Sequence, residues 1–363
     1  METTNTPRNY EIDGIRGWAA LSVLFYHFFW ESYGIKYPMI RTGYFNFILD
    51  GTLAVFIFFV LSGDALSNSY FRKGSTYTTV RLVLARYFRL TFLVLLSCLV
   101  VYVLMKLSLT FPGGAGKILH REDWLGIFIT FSADLYACIQ YSLYGVYFKH
   151  DVHTSYNPFL WTMSVELLGS LVVFINVFVL PHVKKPFVIL LVQFVFFTWM
   201  ESWLALFLFG MILGYLRAEG VLEKWRQWKY TLVCSFLVVG GVIAYDTMGD
   251  EPQETFISYL YMTFFLVGAI YCNVYLVKFF SNRLSRFWGE ISFAVYAIHF
   301  CVVVSLMSWL TIQEQTPIQQ GDPKMLLIPL ASCFISIGLG WLCYKFEKLF
   351  LEKLNHTVKK WII

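Results

Sequence analysis

Long apolar stretches alternate with short polar loops along the chain, at about 14–34, 45–69, 82–107, 158–180, 187–201, 203–217, 230–246, 255–277, 289–311 and 325–346. A helix rising 1.5 Å per residue needs roughly 17 to 25 apolar residues to cross a hydrocarbon core about 30 Å thick. The pattern predicts an all-α, polytopic bundle of about ten transmembrane spans. An eleventh apolar segment, Trp124 to Tyr144, is ambiguous by hydropathy alone.

Loop charge resolves the ambiguity, because short cytoplasmic loops carry the Lys/Arg excess. If 124–144 does not cross, one side collects "FRKGSTYTTVRLVLARYFR", "PHVKKP", "RAEGVLEKWRQWK", "KFFSNRLSRF" and "EKLNHTVKKW". The other side collects "DTMGDEPQE", "QEQTPIQQGDPK" and "FPGGAGKILHRED", which are acidic, neutral or mixed. A crossing would scatter basic loops over both sides. The expectation is therefore ten spans with both termini cytoplasmic, and a re-entrant or peripheral element on the outer side.

Composition agrees: 58% of residues are hydrophobic, 14% are charged and the mean hydropathy is +0.62, which excludes an ordinary water-soluble enzyme. The stretch "METTNTPRNYEID" lacks the basic region and cleavage site of a signal peptide, so the first apolar helix is expected to be retained. Cys98, Cys138, Cys234, Cys272, Cys301, Cys333 and Cys343 lie in apolar segments without a CxxC pair, which reads as packing and not as disulfides or a metal site.

Against this background the ionisable residues inside spans are informative, since they are costly there and usually face a partner or a cavity. In "RGWAALSVLFYH", eleven residues separate Arg16 from His27. At 3.6 residues per turn the two share one face, about 20° apart in azimuth and about 16 Å along the axis. Arg16 alone would pass as an interfacial anchor; His27, deep in the span, would not. In "NPFLWTMSVELLGS", Glu166 lies some two turns into its helix, at a depth that allows a pair with His27 or a helix-packing hydrogen bond. Arg86 and Arg89 in "RLVLARYFRL" are three apart at the cytoplasmic start of a span, where they either anchor the helix or, with Arg16, bind an anion. His299 in "FWGEISFAVYAIHF" divides evenly between a functional role and a satisfied core residue. Asp64 and Glu347 are further charges near span ends. His150 and His153, in an outer "HDVH" loop without a third ligand, read as solvated, so no metal is expected.

Taken in order, "YEIDGIRGWAALSVLFYH", "VFIFFVLSG", "ARYFRL", "WTMSVE", "GEISFAVYAIH" and "FEKLF" resemble the signature stretches of membrane-bound acyltransferase family 3, the integral-membrane O-acyltransferases. The resemblance covers essentially the whole chain. Two departures stand out: Asp64 follows "LSG" where the family usually has an aromatic or aliphatic residue, and "LLGSLVVF" follows the glutamate motif as in fungal-type members.

The resemblance implies one membrane domain over 1–363 without an appended soluble domain. It implies acyl-CoA, most often acetyl-CoA, as donor substrate, and a hydroxyl on a glycan or small hydrophobic metabolite as acceptor. Arg16, Arg86 and Arg89 would hold the donor's phosphates; His27 would act as general base or acyl relay; Glu166 would orient the ring or bind the acceptor. Trp161, His299 and Asp64 are left as substrate-contacting or structural positions. The implied partners are the lipid bilayer, acyl-CoA and the acceptor, with no nucleic acid and with room for a homo-oligomer, and the implied location is the plasma (inner) membrane. The competing reading is a transporter or flippase in which His27, Glu166 and His299 line a polar or proton pathway; no repeat of broken helices is visible to support it.

Overall fold

The computed structural model describes residues 9–42, 47–73, 76–247, 256–314 and 322–362. Most of the expected outer loops "DTMGDEPQE" and "QEQTPIQQGDPK" lies outside the described residues. Within them the protein is all-helical, with no strand. The principal helices are α1 (Tyr10–Phe25), α2 (Gly51–Lys73), α3 (Thr76–Lys106), α4 (Thr162–Val179), α5 (Pro186–Trp199), α6 (Leu204–Ala218), α7 (Trp228–Thr247), α8 (Phe256–Cys272), α9 (Arg283–Val302) and α10 (Leu327–Ile362). Prolines at the first turn start the α5 helix and the 3-10 turn Pro158–Trp161 that leads into α4, where a missing N–H costs nothing. Asn282 caps α9 by accepting from the Ser285 N–H at 2.8 Å.

Five helical stretches among the described residues are long and apolar enough to cross a membrane: Gly51–Asn68, Ala85–Lys106, Pro158–His182, Arg283–Gln313 and Pro323–Leu354. The pair Phe256–Cys272 and Val274–Phe280, bent by 93°, makes a sixth if taken as one span. Pro186–Trp199, Leu204–Ala218 and Tyr230–Gly240 are apolar but shorter. The protein is thus an integral membrane helix bundle in which, among the described residues, five helices and one bent pair meet the length and apolarity of a span, fewer than the ten that hydropathy predicts. The ambiguous segment 124–144 is not among the spanning helices. It runs as turns through Trp124 to Ile129, then as short helices Leu135–Gln140 and Val146–Phe148 joined by a π turn, Tyr141–Gly145.

Two close helix crossings organise the bundle. A Cβ added at Gly17 would collide with the backbone of Trp288 and Gly289, and one at Gly289 with Asp13, so α1 and α9 touch backbone to backbone. Gly63 of α2 and Gly210 of α6 do the same against Phe207 and Val60. Small residues of this kind substitute for the hydrophobic drive that is missing between helices in lipid. Beside the second crossing, Asp64 is fully buried and bound to Arg217 Nη1 at 2.6 Å and to the Tyr271 hydroxyl at 2.7 Å. The Arg217 guanidinium also lies over the Tyr271 ring, 4.7 Å from its centroid. The unusual residue after "LSG" is therefore the centre of a buried ion-pair cluster that ties α2, α6 and α8 together.

Candidate active site

The α1–α9 crossing sets Arg16 and His27 on one side of the first helix, but the helix is not uniform. At Tyr26 it widens into a π turn, Tyr26–Glu31, and Ser32 Oγ donates to the His27 carbonyl at 2.6 Å. π turns inside α-helices are frequent at functional sites. A second one, Val303–Met307, begins four residues after His299 at the end of α9, and Ser308 Oγ donates to the Val303 carbonyl at 2.7 Å.

The two histidines meet. His27 Nδ1 lies 3.0 Å from His299 Nε2. His299 Nδ1 lies 2.7 Å from the Tyr296 carbonyl oxygen, which can only accept, so Nδ1 carries the proton. In the neutral pair, His299 Nε2 is then the acceptor and His27 Nδ1–H the donor, which leaves the lone pair of His27 on Nε2. The ring is fixed from the side as well: Phe159 stacks on it at 3.9 Å and 8°, with Trp124 beyond at 6.0 Å.

Two cavities adjoin here. The larger, of about 510 Å³, is lined by Arg16, Arg86 and Arg89 together with Ser62, Glu166 and Glu347. The smaller, of about 290 Å³, is lined by His27 with Trp124, Phe128, Phe159, Trp161 and Trp203. Val55 and Tyr296 border both. Sequence spacing placed Arg16 and His27 on one face about 16 Å apart, and the adjoining cavities are what that shared face lines.

Glu166 does not partner His27. It belongs to the larger cavity, where Oε1 accepts from Ser62 Oγ at 2.7 Å and from Arg86 Nη2, while Arg86 Nε donates to Ser170 Oγ at 2.9 Å. The carboxylate is neutralised by the arginine one cavity away from the histidine, and a histidine takes the place at the ring where a carboxylate was expected. Asp64 lines neither cavity, being held in its own cluster. Trp161, by contrast, lines the smaller one, and is 37% exposed. Arg16, which lines the larger cavity, has its Nε buried without a hydrogen-bond partner. Among the described residues no cluster of His, Cys, Asp or Glu could hold a metal. His150 keeps company with Tyr141 at 3.2 Å, and its burial pulls its pKa below the ordinary histidine value, against the opposing effect of Asp151.

Several residues around the ring carry no signal in the hydropathy pattern. Trp124, Ile127 and Phe128 come from the segment that failed to read as a span; it folds back over His27. Arg121 holds it there, bonded to the Glu31 carboxylate at 2.8 Å and to the Glu31 carbonyl, and Glu31 in turn accepts from the Tyr26 hydroxyl at 2.5 Å. Ile129, a β-branched residue at φ 55°, ends the fold-back in the left-handed region that such side chains avoid. The sequence hint was a charge in a loop between apolar segments, Arg121, whose partner Glu31 stands ninety residues away.

A family model described as an acyltransferase domain matches residues 9–345 of this chain. The chain belongs to acyltransferase family 3. Comparison with curated proteins and with solved structures returns no match. The matched range takes in every residue of both cavities except Glu347, Lys348, Leu351 and Glu352 of the larger one, so the acyltransferase domain and the candidate site largely coincide.

Proposed function

We propose that this acyltransferase moves an acyl group, acetyl in the first instance, from acyl-CoA to an acceptor hydroxyl, with the donor in the arginine cavity and the hydroxyl at His27. The supporting observation is the pairing of the two cavities: one carries three arginines, one of them with an unsatisfied buried N–H, and the other carries the histidine pair. Guanidinium groups suit phosphates because their forked N–H groups match two oxygens at once. In this reading the arginine end and both termini face the cytoplasm, in keeping with the basic loops, and the protein is a multi-pass protein of the plasma membrane.

In this reading His27 Nε2 takes the proton of the acceptor hydroxyl as the oxygen attacks the thioester carbonyl. The carbon–sulfur bond breaks, and the departing thiolate receives the proton from the imidazolium. His299 holds the Nδ1–H of His27 throughout, so one tautomer faces the acceptor. Glu166 is then a positioning residue: it fixes Arg86 for the donor and does not act on the ring.

Coenzyme A should raise the thermal unfolding midpoint of the purified protein, because a ligand that binds only the folded state stabilises it by mass action. An unchanged midpoint at saturating coenzyme A would overturn the donor assignment. Arg86→Ala is expected to weaken that protection by roughly 10- to 100-fold in apparent affinity, the equivalent of one or two charge-assisted hydrogen bonds. His299→Ala should lower turnover by roughly tenfold or more while coenzyme A protection stays at the parent level, since it disturbs the tautomer of the base and not the donor site. Restoration by His299→Gln, whose amide oxygen can accept the same hydrogen bond, would separate positioning from a general loss of structure.

A further inference from the structure

The lining of the smaller cavity identifies the chemical class of the acceptor. Sixteen residues line it, and the large ones are aromatic: Trp124, Phe128, Phe159, Trp161 and Trp203, with Tyr26 and Tyr296. The polar atoms that these residues and their neighbours offer are already in use. The Tyr26 hydroxyl is bonded to Glu31, and the Glu31 carboxylate to Arg121. The Tyr296 hydroxyl is shared between Thr162 Oγ1 at 2.7 Å and the Phe159 carbonyl. What remains for a ligand is His27, Thr52 and the indole edges.

A sugar ring presents several hydroxyls, each of which loses water on entering such a site and needs an acceptor for its own proton, whereas the indole N–H groups can only donate, which leaves His27 and Thr52. An unpaired buried hydroxyl costs roughly 1–3 kcal/mol, so three or four would outweigh stacking on an indole. One hydroxyl on an apolar body meets the opposite conditions: His27 receives the hydroxyl, and the rings cover the rest.

Resting on the acyl-transfer reading above, we infer that the acceptor is a monohydroxylic, largely apolar alcohol of aromatic or isoprenoid kind, not a polysaccharide. A cavity of about 290 Å³ admits a body of one or two fused rings or a comparable length of chain around the reacting hydroxyl. Trp161 and Trp203, packed edge to face at 5.5 Å, form one wall and set the width.

The test uses the full chain in lipid nanodiscs with radiolabelled acetyl-CoA and two acceptor panels. One contains apolar alcohols (2-naphthylethanol, geraniol, farnesol); the other contains methyl glycosides and short oligosaccharides. The expected result is label in at least one apolar alcohol at a rate tenfold or more above any sugar, with Trp161→Ala shifting preference towards the bulkier alcohols by tenfold or more. Sugars labelled as fast as the alcohols would overturn the inference and leave acyl transfer standing. So would a decanoyl-CoA donor that outruns acetyl-CoA by tenfold with every acceptor, because the aromatic lining would then serve the donor's chain. No labelling of either panel while coenzyme A still protects the protein from heat also overturns it. No labelling and no protection would bring down the acyl-transfer reading itself.

Discussion

Replacing His27 with alanine is expected to lower the rate of acyl transfer by about 10² to 10⁴, the usual contribution of a positioned general base. Folding and donor binding should survive, because the ring's side-chain partner is His299 and the arginines stand in the other cavity. The measurement is transfer of label from acetyl-CoA in membranes carrying equal amounts of parent and variant, with coenzyme A protection as the control. Parent-rate transfer by His27→Ala would remove the histidine from the mechanism. A covalent acyl relay through His27 is distinguished by the same variant set: labelled protein isolated by rapid denaturation at neutral pH from the parent and absent from His27→Ala would favour the relay over the base.

The largest effect on stability is expected at Asp64. It is fully buried, and removing its carboxylate leaves the Arg217 guanidinium inside the bundle without a counter-charge, with Nε and Nη2 already lacking partners. Breaking one side of a buried pair costs about 3–5 kcal/mol, whereas replacing the whole cluster by apolar groups of similar shape is often neutral. Asp64→Ala should therefore give little folded protein at the temperature where the parent is stable. The triple replacement Asp64→Leu, Arg217→Met, Tyr271→Phe should recover most of it. The unfolding midpoint in detergent reads both. A triple variant as unstable as the single one would show that the cluster is needed for more than charge balance.

Much of this arrangement is legible in the sequence because intramembrane charges are rare enough for each to raise a question. Spacing alone brought Arg16 and His27 to one face, and the apolar stretches gave the helical class and the positions of the principal helices. Three things were not legible. The partner of His27 is 272 residues away, and no local pattern tells whether a buried imidazole will choose a carboxylate or a second imidazole. Glu166 had two readings of equal weight at the sequence level; its choice was decided by Ser62 and Arg86, which reach it from α2 and α3. The fold-back at Trp124 to Ile129 has neither the period of a helix nor the length of a span, so its position over His27 follows only from the long-range ion pair of Arg121 with Glu31. Asp64 looked like a departure from the family pattern. Its meaning lies in Arg217 and Tyr271, which pairwise reading along one helix does not see.

Tyr296 constrains the His27 ring twice over. Its hydroxyl ties down the carbonyl of Phe159, the residue stacked on one face of His27, and its own carbonyl fixes the proton of His299, the residue at the ring's edge. The orientation and the tautomer of the imidazole thus depend on one side chain and its backbone, on a helix locked against α1 by glycine contacts. Disorder in the ring is removed once, when the chain folds, and does not have to be removed again in each catalytic cycle. Tyr296→Phe keeps the backbone half of this arrangement and loses the other. Any rate it forfeits should therefore appear in the activation entropy more than in the activation enthalpy.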